Sequence, residues 1–229
     1  MKIVWSLMLS FLLLLSTTVF AQNADIKAKL EQYHFNSESL TENLKDADAK
    51  HSFELKNINT AGDKKTVTIS SFDHTKPVGS KWQLMSIDGR EPTKKEIKKF
   101  NKEHNTKQAE INGKVDDDSY KILEDNEDFL VLGFRYDRSS LPKKYAFLGD
   151  CQGKAYLSKA SKQLEKATFN NLKDLKISII KVKKLLMIVD YGQGKNGIGY
   201  LIQDSKSNIT AKLLGQEVKM MDENYYTYK

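Results

Sequence analysis

The stretch Lys81–His104 reads KWQLMSIDGREPTKKEIKKFNKEH, and its reading decides the fold class. Trp82, Leu84, Met85 and Ile87 form a short apolar run with aromatic and β-branched members, which predicts a strand. Asp88-Gly89 predicts a tight turn, because glycine takes positive φ without a steric penalty. Pro92 holds Glu91 extended and ends the strand region. Thr93 and Glu96 stand at capping-box spacing, where the hydroxyl accepts from the N–H three residues on and the carboxylate reaches back. Ile97 and Phe100 then share one helical face, while Lys94, Lys95, Lys98, Lys99 and Lys102 cover the rest. The unit is a strand, a turn and a short basic helix, and it is expected to bridge two stretches of antiparallel sheet.

The segments upstream change period. Asp25–Leu44 carries apolar residues at helical spacing, with Ile26, Leu30 and Tyr33 in front and Leu40 and Leu44 behind. His51–Ile58 and Thr66–Phe72 alternate like strands with one face covered, and Ala61-Gly62-Asp63 turns between them. Downstream, Tyr120–Leu123 and Phe129–Tyr136 pair as a predicted hairpin. Its second strand is apolar on both faces: Phe129 and Val131 on one, Leu130, Leu132, Phe134 and Tyr136 on the other. Such a strand needs cover on both sides, from a helix or from a ligand.

Tyr145–Leu148 and Lys154–Leu157 read as strands, and Ser161–Lys173 as an irregular one. Ile177–Asp190 is too β-branched for a comfortable helix. Gly192, Gly194, Gly197 and Gly199 lack the Gly-Lys-Ser/Thr ending and following helix of a nucleotide loop, so a hairpin loop is expected. Tyr200–Gln203, Asn208–Leu214 and Glu217–Met221 finish the sheet as three strands, and Tyr225, Tyr226 and Tyr228 read as an edge strand.

Met1–Ala21 has the form of a secretory signal peptide, with Lys2, an apolar run over Ile3–Leu15 and a small-residue cleavage site before Gln22. Residues 22–229 then form a single mainly antiparallel β domain, exported to the periplasm or beyond and without a transmembrane span after cleavage. Cys151 is the lone cysteine, so no intramolecular disulfide is available. The net charge is +7, but lysines are mixed with acids along the chain and no aromatic-basic cluster suggests nucleic acid. A negatively charged envelope surface fits this balance better, and Lys95, Lys98, Lys99 and Lys102 share the helix face that would meet it.

Catalytic signals are weak. The histidines His34, His51, His74 and His104 show no zinc spacing, and no Gly-x-Ser-x-Gly elbow is present. Asp116-Asp117-Asp118 lacks the alternating ligands and central glycine of a calcium loop. Carboxylates are scattered over polar loops, where pairs meet only in three dimensions. The expectation is a protein without a metal or cofactor and without enzymatic activity.

The piece Trp82–Phe100 is similar to a W-x-L-x-S-x-x-G-x-x-P-T stretch in exported bacterial proteins. With the leader, the N-terminal helix and the strand-turn-helix unit, the chain resembles periplasmic proteins of the LolA-like and RseB-like type. The resemblance implies an α+β, mainly β fold: a curved antiparallel sheet forming an incomplete β-barrel, with a few helices over its open face. It also implies a carrier that holds a lipid, an acyl chain or a lipidated protein on the concave face. Trp82, Leu84, Phe129, Val131, Phe134 and Tyr136 are the candidate lining residues. The alternative expectation is an envelope sensor with a filled core that recognises a protein partner.

Overall fold

The computed structural model describes residues 24–35, 51–105, 114–177, 180–193, 200–213 and 215–229. The expected leader at 1–21 and the second half of the N-terminal helical pattern lie outside the described residues. Among the described residues no helix is long and apolar enough to cross a membrane.

The strands are β1 (Phe53–Ala61), β2 (Lys64–Phe72), β3 (Trp82–Ile87), β4 (Lys121–Asp125), β5 (Phe129–Phe134), β6 (Cys151–Ser158), β7 (Leu164–Asn171), β8 (Leu175–Ile177), β9 (Ile180–Gln193), β10 (Tyr200–Leu213) and β11 (Gln216–Tyr228). They form one antiparallel sheet in the order β3-β2-β1-β11-β10-β9-β7-β6-β5-β4, with β8 also paired to β9. The sheet does not close into a barrel. Its two edges, β3 and β4, are consecutive strands of the sequence, and its first and last strands pair in the middle. The fold is therefore a meander ring opened at a single seam. A sheet this wide accumulates twist and curls, and bulges in β10, β9, β3, β4 and β7 add local bends.

The Lys81–His104 unit forms as its sequence predicts. Asp88 (φ 50°) and Gly89 (φ 78°) make a two-residue turn of the primed kind, and Ile87 bridges Arg90 across it. Helix α2 (Lys94–His104) begins in a complete capping box, with Thr93 Oγ1 accepting from Glu96 N and Glu96 Oε2 accepting from Thr93 N at 2.8 Å. Arg90 grips the same carboxylate with both guanidinium nitrogens, at 2.7 and 3.0 Å, and its hydrogen bonds lead the contacts that bring the Glu96 carboxyl down to about 2. At the other end the Asn105 carboxamide accepts from Trp82 N and donates to Trp82 O, both at 3.0 Å. One residue thus occupies the place of a neighbouring strand and blunts the sheet edge.

Helix α1 (24–32) lies over the other end of the sheet. Ile26 and Phe35 are buried with Leu130, Leu132, Phe134, Leu157, Leu164 and Phe169, and Leu30 and Tyr33 pack beside them. Asp125 at the end of β4 pins this helix. It accepts from Lys29 (2.7 Å), Tyr33 Oη (2.9 Å) and Lys159 (2.7 Å). Lys159 also sits over the Tyr33 ring at 4.1 Å.

Three sequence expectations need correction. Tyr145–Leu148 is not a strand but part of a 3-10 run, Lys143–Asp150. Pro142 sets its entry, and Gly149 lies against Arg138 so closely that a Cβ would stand 2.6 Å from Arg138 Cβ. Tyr200–Gln203 and the predicted strand from Asn208 belong to one strand that runs to Leu213, because the polar residues Asp204–Ser207 pair with β9 and β11 on both sides, and Leu214 lies outside the described residues. The C-terminal tyrosines are not on an edge strand; β11 is central, between β1 and β10.

Candidate functional site

Alternation along the strands and the registers between them place all three apolar clusters on one face of the sheet. The cluster under α1 spans β5, β6 and β7. The second joins Cys151, Leu175, Val182, Leu185 and Ala211, with Ile209 and Met220 at its margin. The third is aromatic: Phe53, Phe72 and Tyr228 with Trp82 and Tyr226, around a fully buried Phe53. Met187 packs against both the first and the second cluster and is half-buried. Ile209, Met220, Leu55 and Tyr226 are likewise half-buried.

The sequence-derived lining candidates distribute unevenly over this frame. Phe134 and Tyr136 meet at 5.9 Å, and Tyr136 stacks on Phe169 at 6.0 Å, within the α1 cluster. Trp82 lies in the aromatic cluster, 5.5 Å from Phe53 and 5.2 Å from Phe72, and Leu84 is buried on the same edge strand. Phe129 and Val131 alternate with Leu130 and Leu132 and so occupy the opposite face, where Phe129 meets the Tyr156 ring edge-on at 6.3 Å. The six residues therefore fall into three groups. Lys95, Lys98, Lys99 and Lys102 are all exposed on α2, and Lys99 stands 3.9 Å from Glu103. Phe100 is buried under them, whereas Ile97 remains 37% exposed.

Two polar rows cross the middle of the apolar face. Register places Thr68, Asn57, Asn224 and Ser205 side by side on β2, β1, β11 and β10. The next row is Thr66, Asn59, Asp222 and Ser207. Asp222 accepts from Asn57 (3.0 and 3.1 Å), Asn59 (3.1 Å) and Asn224 (2.9 Å). Asn57 also donates to Asn224 Oδ1 at 2.9 Å, and Asn224 donates to Ser205 Oγ at 3.3 Å. Leu55 and Tyr226 border these rows on one side, and Met220 and Ile209 on the other. Sequence reading missed this cluster. Its signal is a broken parity: Phe53 and Leu55 give way to Asn57 and Asn59, and Asp222 and Asn224 interrupt Met220 and Tyr226.

The opposite face is charged. Lys166 pairs with Asp190 at 3.6 Å, Lys206 with Glu223 at 4.0 Å, and Tyr225 Oη donates to Glu223 at 3.1 Å. Asp190 and Asp204 oppose each other across β9 and β10. Burial, and then the charge of Asp190, pushes the Asp204 carboxyl up.

Other reactive side chains have structural partners. Ser52 Oγ lies 2.9 Å from His74 Nδ1. In a hydrolytic triad a carboxylate would orient the other ring nitrogen, but Asp73 instead accepts from Thr75 N, Thr75 Oγ1 and Ser52. These contacts form a turn that ties the start of β1 to the end of β2. Cys151 is 1% exposed, and burial pushes its thiol up to about 11, the reverse of an activated nucleophile. Among the described residues no group of three or more His, Cys, Asp or Glu could hold a metal.

No protein-family model matches the chain, and no curated protein and no solved structure matches it.

Proposed function

We propose that this protein is an exported binding or carrier protein for an apolar ligand, a lipid or acyl chain held on the apolar face of its unclosed sheet. One observation carries the reading. Met187, Ile209, Met220, Leu55 and Tyr226 are only partly buried at the margins of buried clusters, on the face that α1 and α2 cover at its two ends. A face with this composition gains from contact with a hydrocarbon chain, at about 0.8 kcal/mol for each methylene removed from water. The leader-like N-terminus and the resemblance of Trp82–Phe100 to LolA-like and RseB-like proteins support the same reading.

The neutral fluorophore N-phenyl-1-naphthylamine tests it. Its emission should rise on mixing with the protein, and Met187→Gln should weaken the uptake. Native mass spectrometry of protein purified without detergent should also show a bound lipid. A protein that arrives empty and leaves the fluorophore dark would favour the alternative, an envelope protein with a filled core and a protein partner.

A further inference from the structure

Asp222 is held by neutral partners. Several carboxylates of the chain are held by cations: Asp125 by Lys29 and Lys159, Asp150 by Arg138 and Lys173, and Asp190 by Lys166. None of the salt bridges among the described residues involves Asp222, although the chain carries 37 lysines and arginines. Its hydrogen bonds come from three neutral carboxamides.

That arrangement fixes the polarity of the cluster. An ionised carboxylate only accepts, so every carboxamide facing it must turn Nδ2 inward. Asn57 spends its donors on Asp222 and Asn224, and Asn224 spends its own on Asp222 and Ser205. Within the cluster Asn57 Oδ1 and Asn59 Oδ1 accept nothing. The surface left over is a negative charge surrounded by acceptor oxygens. It carries no positive charge, and of the three carboxamides only Asn59 keeps an unspent N–H.

We propose that the apolar face takes an amphiphile with a protonated amine head, seated on Asp222 between Asn57 and Asn59, its tail lying over Met220, Ile209 and Met187. The proposal rests on the reading of this face as an apolar-ligand site and names the head group that site selects. Met220 stands two residues from Asp222, about 7 Å along the strand, so head and tail contacts adjoin. A primary ammonium supplies charge and N–H donors together. A quaternary ammonium supplies charge alone, and a carboxylate supplies neither.

Three amphiphiles with one tail separate these terms: dodecylammonium, dodecyltrimethylammonium and dodecanoate, each titrated below its micelle concentration and read by displacement of N-phenyl-1-naphthylamine. Dodecylammonium should bind tightest, by about tenfold over dodecanoate, the scale of one charge-assisted hydrogen bond. The protein's own charge of +7 favours the opposite order, so this ranking would not arise from net charge. Asp222→Asn should reduce the ratio to about twofold. Dodecanoate binding as tightly as dodecylammonium to the wild type overturns the proposal and leaves the apolar site standing, as does an unchanged ratio in a folded Asp222→Asn. Absence of binding by all three, with no uptake of the fluorophore, overturns both. Should the variant melt early, the wild-type ranking decides alone.

Discussion

Single residues here are governed by what surrounds them. Cys151 reads in the sequence as a lone thiol, and its burial and its bond to Phe147 O (3.5 Å) make it a core residue. Its thiol ionises near 11 in the fold against an ordinary 9.0, so its contribution to stability is present below pH 9 and is lost as pH rises towards 11. A thiol reagent such as DTNB should leave it unlabelled at neutral pH and react at once in urea. Glu96 has the opposite sign. Its carboxyl, held by Arg90 and Thr93, titrates near 2 rather than 4.5, so its contribution is present above pH 4.5 and is lost as pH falls towards 2. Glu96→Gln should flatten the acid limb of a urea-midpoint profile between those values and leave the limb above pH 5 unchanged in shape. Phe53, fully buried among Phe72, Trp82, Tyr226 and Tyr228, should cost about 3–5 kcal/mol on conversion to alanine, read from chemical denaturation.

Elements are governed by how their faces are used. In β6, Gly153 lies opposite Phe134 of β5, and a Cβ there would stand 2.6 Å from the Phe134 ring. The ring lies across a strand position without a side chain, so Gly153→Ala should force the ring aside and lower stability by about 1–3 kcal/mol. Helix α2 separates its roles more cleanly. Phe100 is buried, 6.4 Å from Trp82, and stacks with His104 at 4.0 Å, while Lys95, Lys98, Lys99 and Lys102 face solvent. If that face meets anionic headgroups, each lysine contributes about 1 kcal/mol near the surface, and salt weakens the contact. Changing the four to glutamine should lower sedimentation with anionic vesicles at low salt and leave Tm nearly unmoved. A wild type that does not sediment with such vesicles makes this an ordinary solvated face.

At the scale of the whole molecule, the ends of the chain hold the middle of the sheet. Phe53 of β1 pairs with Tyr228 of β11, and Lys229 N donates to Ser52 O at 3.0 Å. Terminal segments are often expendable, but removal of residues 216–229 would take out the strand between β1 and β10 and expose both its neighbours. Loss of the cooperative urea transition is expected, read by circular dichroism. A truncated chain that still unfolds cooperatively would contradict this placement of β11.

The sequence by itself determined what neighbours along the chain can settle. Asp88-Gly89 set the turn, Thr93 and Glu96 set the start of α2, and alternation set β1, β2 and the β4–β5 hairpin, because each depends on contacts a few residues apart. It missed what depends on partners far away. Tyr225–Tyr228 looked like an edge because nothing local marks its pairing with β1, and Asp204–Ser207 looked like a gap because polar residues become strand only when both sides are paired. The Asn57, Asn59, Asp222 and Asn224 cluster joins two strands from opposite ends of the chain, so its chemistry exists only once they are in register. Only the tertiary structure decided these, since closing such long loops is repaid by burial and pairing that no short window of sequence contains.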